Sequence, residues 1–508
     1  MRKKNKQIVL ENIAITDYAA EGKALARLDG KVIFVSGAVP GDTADLLITK
    51  NKKDWAEARV LKITNYAAER VTPFCMHFGV CGGCKWQMLP YEKQLQYKQQ
   101  EAEQNLKRIG KVTDAIFLPI AGADDTIHYR NKLEFTFSNK RYLEKPPEAP
   151  QPPGGGLLGT SIIENLFDEA ETSEASPTGG GLEWASSLGG WGASGALGAL
   201  GFHAPRIFDK IIDIQECFLM DDVNNRIRNT IREFALDNQF TFYDIRLHTG
   251  WLRNIIIRYC NTGQLMVNIC LNYEVEKDQQ LLFNHLLKEV PSITTLVYTI
   301  NPKWNDSIYD LTPQVYFGKG YVIEKLEEYQ FIISPKSFFQ TNTKQAEKLY
   351  GITRDFASLT GNEIVYDLYC GTGSIGIFVS KGAKKIIGVE VIEEAIEDAK
   401  KNAALNNIEH ASFFAGDVIK ICNDEFFSTH GRPDVVITDP PRVGMHEKLV
   451  LKLLEMEAPR IVYVSCNTAT QARDILLLSE KYRVEKIQPV DMFPHTHHIE
   501  SVALLILK

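Results

Sequence analysis

The sequence lacks long hydrophobic runs and has no segment typical of an exported protein. No apolar stretch in its 508 residues approaches the roughly 18 residues that a membrane-spanning helix needs. The basic start, "MRKKNKQIVLENIAITD", has no apolar core of the kind found in signal peptides. We therefore expect no signal peptide, no membrane partner and a cytoplasmic location.

Cysteine is sparse, and the absence of an export signal argues against disulfide bonds. The nine cysteines are expected to stay reduced, which favours metal-binding or catalytic roles. Four of them lie in apolar or strand-like segments, where a free thiol simply fills core space. These four are Cys260, Cys270, Cys370 and Cys422.

Positive charge is scarce in one segment, residues 142–201, which has one lysine and eight acidic residues. This segment accounts for the whole net charge of −7, so the rest of the chain is neutral overall. Its thirteen glycines predict a disordered, acidic insertion in a surface loop. Residues 1–70 have thirteen Lys or Arg against nine Asp or Glu, a net charge of +4. The charge pattern therefore does not exclude RNA as a partner.

Length and hydrophobic pattern indicate three domains. Residues 1–66 contain short β-runs separated by glycines, which is typical of a small OB-like antiparallel barrel. Residues 67–330 contain a cysteine cluster, a polar helix ending near Gly110 and a predicted hairpin, which indicate an α+β domain. Strands and helices alternate over residues 331–508. This alternation predicts an α/β, Rossmann-like domain with a doubly wound sheet that is parallel until its last hairpin.

The glycine turn in "DLYCGTGSIG" lies between a predicted strand and a predicted helix. Such a turn is weak evidence alone, because dinucleotide folds and many tight turns share it. Acidic residues near the next strand ends strengthen it. Glu390 is placed to accept from ribose hydroxyls, Asp417 to reach an adenine amine, and Asp439 ends the fourth strand. These acids suit the cationic cofactor S-adenosylmethionine better than a pyrophosphate, which favours a methyltransferase over a dehydrogenase.

The sequence "DPPR" at the fourth strand end bears on the kind of methylation. Amino-group methyltransferases commonly have an aromatic residue after Asp-Pro-Pro, which stacks on the flat target group. Arg442 occupies that position here. This argues against a base amine or a glutamine side chain as the substrate.

The segment "FCMHFGVCGGCKWQ" has Cys75, Cys81 and Cys84 in C-x5-C-x2-C spacing. Three thiolates make an incomplete tetrahedral site, so a fourth ligand is required. Cys217, in "IIDIQECFLMDD", is the candidate. Four thiolates suit either zinc or a 4Fe–4S cluster, and the spacing does not decide between them.

Cys466 lies in "IVYVSCNTATQARD", directly after a predicted buried strand. The thiol is either a small core residue at the strand end or a nucleophile at the sheet edge where α/β folds carry their sites. Local spacing does not distinguish the two interpretations.

Together, these motifs resemble the RNA uracil-5 methyltransferase family, in particular its 23S rRNA branch with a TRAM domain and an iron–sulfur cluster. The resemblance covers nearly the whole chain outside 142–201. It rests on the segments "CGGCKWQ", "YRNKLEF", "GWLRN", "SFFQTN", "DLYCGTG", "DPPR", "VSCNTATQARD" and "FPHTHHIESV".

The resemblance implies an S-adenosylmethionine-dependent class I methyltransferase domain that methylates C5 of a uridine in 23S rRNA. It also implies that the barrel is a TRAM domain that binds RNA. We also expect a monomer. The family's nucleophile falls on Cys466 and its base on Glu500. Its cofactor positions fall on Gln340, Tyr369, Ser374, Glu390, Asp417 and Asp439. The resemblance also implies a 4Fe–4S cluster held by Cys75, Cys81, Cys84 and Cys217.

Three features depart from the family pattern. Thr468 stands where the family usually has proline, Ser374 stands where asparagine is frequent, and the acidic insertion is additional. None of them removes a reacting group. Thr468 is nevertheless expected to loosen the loop after the thiol.

The implied chemistry explains why both a thiol and a carboxylate are needed. A thiolate adds to C6 of uracil and makes C5 nucleophilic, and a base then removes the C5 proton. The alternative interpretation of Glu500 is a solvated strand end. A tRNA uridine methyltransferase and a catalytically silent RNA-binding protein are the alternative functions.

Overall fold

The computed structural model describes residues 8–142, 198–205 and 207–508. Most of the predicted insertion, residues 143–197, therefore lies outside the described residues. Within the described ranges, no helix is long and apolar enough to cross a membrane.

The N-terminal strands close into a five-stranded barrel in the order β1-β2-β3-β5-β4. Small and branched side chains alternate inward along the strands; Ala24 and Ala26 on one strand face the same core as Ile33 and Val35 on the next. Small residues suit the narrow interior of a five-stranded barrel. The predicted barrel is confirmed, with one parallel pair, β3 with β5. The strands are β1 (Val9–Tyr18), β2 (Ala24–Leu28), β3 (Lys31–Ser36), β4 (Thr43–Asn51) and β5 (Trp55–Asn65).

A helix and a short strand follow the cysteine segment: α1 (Tyr91–Arg108) and β6 (Ile116–Phe117). The helix ends as predicted, just before Gly110. Its position differs from the predicted central domain, because Leu106 packs in the same core as Ala472 and other residues of the C-terminal domain. Strand β6 likewise pairs with the C-terminal sheet. Residues 91–117 therefore belong spatially to the C-terminal domain.

The central domain is a seven-stranded sheet in the order β13-β12-β11-β10-β7-β8-β9. The predicted hairpin is confirmed as the antiparallel pair β10 and β11. Strand β8 shows that the last residues of the predicted insertion are part of this sheet. The strands are β7 (Lys132–Ser138), β8 (Ala199–His203), β9 (Ile211–Asp213), β10 (Leu252–Tyr259), β11 (Leu265–Leu271), β12 (Thr295–Ile300) and β13 (Gln314–Phe317), and the helices are α2 (Val223–Asp237) and α3 (Glu276–Glu289).

A separate hairpin joins the central and C-terminal domains: β14 (Val322–Leu326) and β15 (Tyr329–Ile333). Phe331 and Ile333 are fully buried in one core with Phe378 and Ile386 of the C-terminal domain. The hairpin spans the boundary that the sequence predicts at residue 331. Its packing assigns it to the C-terminal domain.

The C-terminal domain has an eight-stranded sheet in the order β18-β17-β16-β19-β20-β22-β21-β6. The pairs from β18 to β20 are parallel and the two pairs made by β22 are antiparallel, as predicted. This is the class I methyltransferase arrangement. The strands are β16 (Ile364–Leu368), β17 (Lys385–Glu390), β18 (Ala411–Ala415), β19 (Val435–Thr438), β20 (Arg460–Ser465), β21 (Tyr482–Val490) and β22 (Glu500–Leu507), and the helices are α4 (Thr343–Ala357), α5 (Ser374–Val379), α6 (Glu393–Leu405), α7 (Val418–Ile421), α8 (Asp424–His430), α9 (Glu447–Met456) and α10 (Thr468–Leu478).

Candidate active site

The turn after β16 is shaped by glycines. Gly371 and Gly373 have φ angles of 51° and 78°, which are left-handed values that glycine adopts without strain. A Cβ on Gly373 would lie 3.0 Å from the ring of Phe413 and 3.1 Å from Ala399. The absence of a side chain therefore lets α5 begin close against the sheet, as in other nucleotide-binding turns.

Most of the predicted cofactor residues follow strand ends at the same edge of the sheet. The backbone N–H groups of Gly371, Val391 and Ile392 donate to the carboxylate of Glu390 at 3.3, 2.8 and 3.2 Å. These bonds fix the orientation of that carboxylate beside the glycine turn. The exposed Asp417 accepts from the N–H of Ile419 at 3.0 Å and so caps α7.

Three further residues are predicted to contact the cofactor. Ser374 begins α5, and its hydroxyl lies 3.0 Å from that of Tyr350. Tyr369, with a φ of 63°, lies in the turn itself. Gln340 comes from the segment before α4, and its carbonyl accepts from Nδ2 of Asn131 at 3.0 Å. That bond ties the predicted cofactor segment to the central domain.

Cys466 and Glu500 come together through strand register. In the antiparallel pair β20 and β22, the last paired residues are Ser465 and Ser501. The next residue along β20 is Cys466, and the residue opposite it on β22 is Glu500. In antiparallel strands, directly opposed residues lie within about 5.5 Å of each other at Cα. Glu500 is 6% exposed. The interpretation of Glu500 as a solvated strand end is therefore wrong.

Burial and charge suppress ionisation in this pair. Burial, followed by the charges of Glu500 and Asp439, raises the pKa of the Cys466 thiol to about 12. Burial and the charge of Asp439 raise the pKa of Glu500 well above its usual range, and burial alone raises the pKa of Asp439 to about 7. Arg442 opposes the shifts at Cys466 and Glu500. The thiol is therefore protonated at neutral pH in the free protein.

The loop after the thiol is well anchored. The side chain of Asn467 accepts from the N–H groups of Ala469 and Thr470 at 3.0 and 3.4 Å and caps α10. Its Nδ2 donates to the carbonyl of Arg442 at 3.2 Å. Thr468 is 3% exposed, and its hydroxyl accepts from Nδ2 of Asn105, in α1, at 2.9 Å. Thr468 therefore has a hydrogen-bond partner in α1 at the position where the sequence predicts a looser loop.

Cys466 opens onto a cavity of about 400 Å³ that is lined by three parts of the chain. The barrel contributes Glu21, α1 contributes Glu101, and the segment before β22 contributes His497 and His498. Burial lowers the pKa of both histidines to about 4, so both are neutral at physiological pH. The sequence patterns do not single out the α1 and barrel residues. Only the motif "FPHTHHIESV" points to the histidines.

The four clustered cysteines line one cavity of about 190 Å³ in the central domain. Burial raises the pKa of Cys81 to about 11 and of Cys84 to about 12, and the N–H of Cys217 donates to Oδ1 of Asn225 at 2.8 Å. Over residues 8–142, 198–205 and 207–508, however, no three His, Cys, Asp or Glu side chains are grouped so that they could hold a metal ion. The four predicted ligands nevertheless line one cavity in the described part of the chain.

The other four cysteines predicted to be core residues, Cys260, Cys270, Cys370 and Cys422, are all at most 5% exposed. That prediction is confirmed.

Comparison with known proteins identifies two segments. Residues 312–508 match the tRNA (Uracil-5-)-methyltransferase family, and residues 11–61 match the TRAM domain. An uncharacterized RNA methyltransferase of Bacteroides thetaiotaomicron is 48% identical over 495 residues, which is 96% of this chain and 100% of that protein. An uncharacterized RNA methyltransferase of Porphyromonas gingivalis is 45% identical over 496 residues, or 97% of this chain and 99% of that protein.

Among solved structures, the tRNA (uracil-54, C5)-methyltransferase of Pyrococcus abyssi in complex with S-adenosyl-L-homocysteine has a TM-score of 0.69. It covers 97% of this chain and 100% of its own chain at 24% sequence identity. At that identity the likeness shows the shared fold. The family resemblance seen in the sequence is confirmed by the matches above. This chain belongs to the RNA methyltransferase family, with an N-terminal TRAM domain and a C-terminal domain of the tRNA (uracil-5-)-methyltransferase type.

Proposed function

We propose that this enzyme transfers a methyl group from S-adenosylmethionine to C5 of a uridine in 23S rRNA, with Cys466 as nucleophile and Glu500 as base. The observation that carries the proposal is the register of β20 and β22, which ends with Ser465 opposite Ser501 and brings the two reacting groups together. A cysteine and a carboxylate at one sheet edge supply both groups that C5 methylation requires.

The reaction begins with addition of the Cys466 thiolate to C6 of the uracil ring. Electrons of the C5–C6 double bond then form an enolate, and C5 takes the methyl group from the sulfonium cofactor, which leaves as S-adenosylhomocysteine. Glu500 removes the proton from C5, the double bond re-forms and the Cys466 sulfur leaves C6. The products are 5-methyluridine and S-adenosylhomocysteine, with Cys466 released as its thiolate and the C5 proton on Glu500.

The charges around the thiol fit this sequence of steps. Because the pKa of Cys466 is raised, little thiolate is present at neutral pH. The thiolate that does form is strongly basic and therefore a strong nucleophile. The raised pKa of Glu500 makes its carboxylate a strong enough base to take a proton from carbon. Arg442 is the cation that favours the ionised form of both groups.

The cofactor residues would be Gln340, Tyr369, Ser374, Glu390, Asp417 and Asp439. When bound, S-adenosylmethionine supplies the electrophilic methyl group. The support for this pocket is the fixed Glu390 carboxylate beside Gly371 and the acidic character of the edge, which suits a sulfonium cation. The fold neighbour from Pyrococcus abyssi contains S-adenosyl-L-homocysteine, the product form of this cofactor.

We further propose that Cys75, Cys81, Cys84 and Cys217 hold a 4Fe–4S cluster. The donor set fits, because four thiols line a single cavity and Cys₄ is the usual ligand set of such clusters. Each cysteine of a 4Fe–4S cluster binds a different iron, so its ligands need not converge on one point as the ligands of a zinc ion do. The choice of a 4Fe–4S cluster over zinc rests on the sequence resemblance.

The proposed substrate class is folded RNA with a uridine that must leave its stack to reach Cys466. The TRAM barrel contributes Glu21 to the lining of the cavity at Cys466, so the barrel lies next to the proposed uridine site. The choice of 23S rRNA rests on the sequence resemblance. The tRNA alternative is favoured by the description of the matching family.

The test is methylation of purified 23S rRNA and of purified tRNA, both lacking 5-methyluridine, with isotopically labelled S-adenosylmethionine. Nuclease digestion and mass spectrometry then identify and locate the modified base. We expect labelled 5-methyluridine in 23S rRNA, and none with Cys466→Ala. Label in tRNA alone would replace the rRNA proposal with the alternative. Label in a base other than uracil would contradict the proposed chemistry.

A further inference from the structure

Helix α1 holds the segment that leads into Glu500. Gln94 is fully buried, and its Nε2 donates to the carbonyls of Trp86 and Leu89, both at 3.0 Å. The same amide contacts His495 twice: Oε1 accepts from the backbone N–H at 2.8 Å, and Nε2 lies 3.1 Å from Nδ1 of the ring. A single glutamine thus fixes residue 495, five positions before the proposed base.

A buried ion pair makes a second attachment one helical turn away. Nζ of Lys98 lies 2.6 Å from Oδ1 of Asp491, and both side chains are fully buried. Lys98 also donates to the carbonyl of Phe493 at 3.2 Å, and the hydroxyl of Tyr91 donates to Oδ2 of Asp491 at 2.9 Å. Such a pair is stabilising only with good geometry and additional hydrogen bonds, and both are present here.

The backbone of the held segment is in a demanding conformation. His495 has a φ of 64°, a left-handed value that costs free energy for a residue with a side chain and persists only where the surroundings impose it. The N–H groups of Lys85 and Trp86 both donate to its carbonyl, at 2.7 and 3.1 Å. Gln94 makes the other two contacts with His495, to its backbone N–H and to its ring. Without these bonds the segment is expected to relax and to move Glu500.

The same helix also reaches the other catalytic segment. Asn105 donates to the hydroxyl of Thr468, two residues after Cys466, at 2.9 Å. Gln94, Lys98, Glu101 and Asn105 follow helical spacing along one face. At 1.5 Å per residue, the 11 residues from Gln94 to Asn105 span about 16 Å. One face of α1 therefore contacts both catalytic segments and borders the cavity between them.

We propose that α1 positions the two reacting groups separately: Gln94 positions Glu500 for proton removal, and Asn105 positions Cys466 for addition to C6. Both are positioning residues, since they act through His495 and Thr468. The inference rests on the proposed function, and it predicts that substitutions on one helix slow different chemical steps.

The two steps are separated by following the covalent RNA–enzyme adduct in single-turnover reactions with a substrate RNA. Gln94→Met keeps the side-chain length and removes all the amide bonds. We expect normal appearance of the methylated adduct and a release slowed about 10- to 100-fold, since a displacement of about 1 Å in a reacting group can cost 100-fold. Gln99→Met is the matched control, because among the described residues the Gln99 side chain bonds only Glu103 and the carbonyl of Leu118. Its adduct should be released at the wild-type rate.

Asn105→Ala is measured in the Glu500→Gln background, where the adduct accumulates and its appearance reports addition. We expect that appearance to slow about tenfold. Adding Thr468→Pro should restore the rate, because proline at the first position of a helix has a fixed φ that suits that position. Failure of Thr468→Pro to restore the rate would contradict the role of Asn105.

The outcomes separate this inference from the proposed function. If Glu500→Gln forms no adduct at all, the proposed function fails. If it forms adduct but Gln94→Met releases RNA at the wild-type rate, or slows appearance and release equally, the inference on Gln94 is overturned. If Gln94→Met does not fold, Tyr91→Phe is used instead; it loses the bond donated to Asp491 and the bond accepted from the N–H of Ala123. The expected result is then a smaller delay in release alone, and normal release would contradict the inference.

Discussion

Disulfide exchange at Cys466 should report the electrostatics of the thiol before RNA binds. The pKa of Cys466 is raised from an ordinary 9.0 to about 12. At pH 8, about 10% of an ordinary thiol and about 0.01% of this one is ionised, a roughly 1,000-fold difference in thiolate. Because nucleophilicity rises with basicity, with a coefficient of about 0.45, the thiolate itself reacts about 20-fold faster. The expected net rate is about 50-fold below that of an ordinary thiol.

The rate is measured with the small neutral reagent 2-hydroxyethyl disulfide, by mass spectrometry of the peptide that contains Cys466. It should keep rising from pH 7 to 10, by at most about tenfold per pH unit, since the thiolate fraction stays far from saturation below the pKa. Steric burial slows the reagent equally at each pH, so the slope is the diagnostic quantity. A plateau below pH 9 would refute the raised pKa.

Two substitutions should shift this profile in opposite directions. Arg442→Gln removes the cation that favours the thiolate, so the exchange rate should fall. Glu500→Gln removes a negative charge, but only at a pH where Glu500 is ionised, and its own pKa is raised. Its rate should therefore match that of the wild type at low pH and exceed it at high pH. Identical profiles for the two variants would contradict the electrostatic account.

Three further results are expected. Protein purified anaerobically should hold about four irons per chain, and Cys217→Ser should lose them; stoichiometric zinc without iron would contradict the cluster. Deletion of 144–197 should leave methylation of protein-free rRNA intact, since Ser138 pairs with Ala199 and the strand ends therefore lie close together; loss of folding and activity would show that the segment is structural. Lys98→Met should lower the free energy of unfolding, measured in urea, by about 3–5 kcal/mol, because it leaves a buried carboxylate unpaired. Lys107→Met, which breaks an exposed pair on the same helix, should cost at most about 0.5 kcal/mol, and equal effects would contradict the buried pair's role.

Hydrophobic period and glycine turns predict most of the fold. The strand–glycine–helix order around Gly371 and the acid at the end of β17, Glu390, are local patterns, so the sheet and its cofactor edge follow from sequence alone. The pairing of Cys466 with Glu500 does not, because 34 residues separate them and only the register of β20 with β22 brings them together. The two residues are predicted as a pair only through the resemblance of the sequence to a known family.

The position of α1 was not predictable because half of its buried residues are polar. Gln94 and Lys98 are fully buried, whereas hydrophobic periodicity detects only apolar faces. The helix itself was recognised, but its partners, Asp491 and His495, lie about 400 residues away and are joined to it by hydrogen bonds. A two-residue strand such as β6 is likewise too short to give a pattern.

The predicted insertion extends to residue 201, although a buried strand begins at Ala199. The difference arises from a glycine in that strand. The run "GALGALGFH" has the composition of a flexible segment, yet Ala199–His203 is a buried strand. A Cβ on Gly201 would lie 2.0 Å from the carbonyl oxygen of Ile212. The glycine is required by close strand packing. Composition alone does not distinguish that role from flexibility.

The central claim is that Cys466 adds to uracil C6 and Glu500 removes the C5 proton. Glu500→Gln keeps the side-chain size and removes the base, so methyl transfer should proceed and elimination should stall. Mass spectrometry of the denatured variant after reaction with substrate RNA and S-adenosylmethionine should then show RNA joined to Cys466 with one added methyl group. Cys466→Ala, alone or combined with Glu500→Gln, should give neither adduct nor 5-methyluridine. Normal turnover by Glu500→Gln without any adduct would contradict the account.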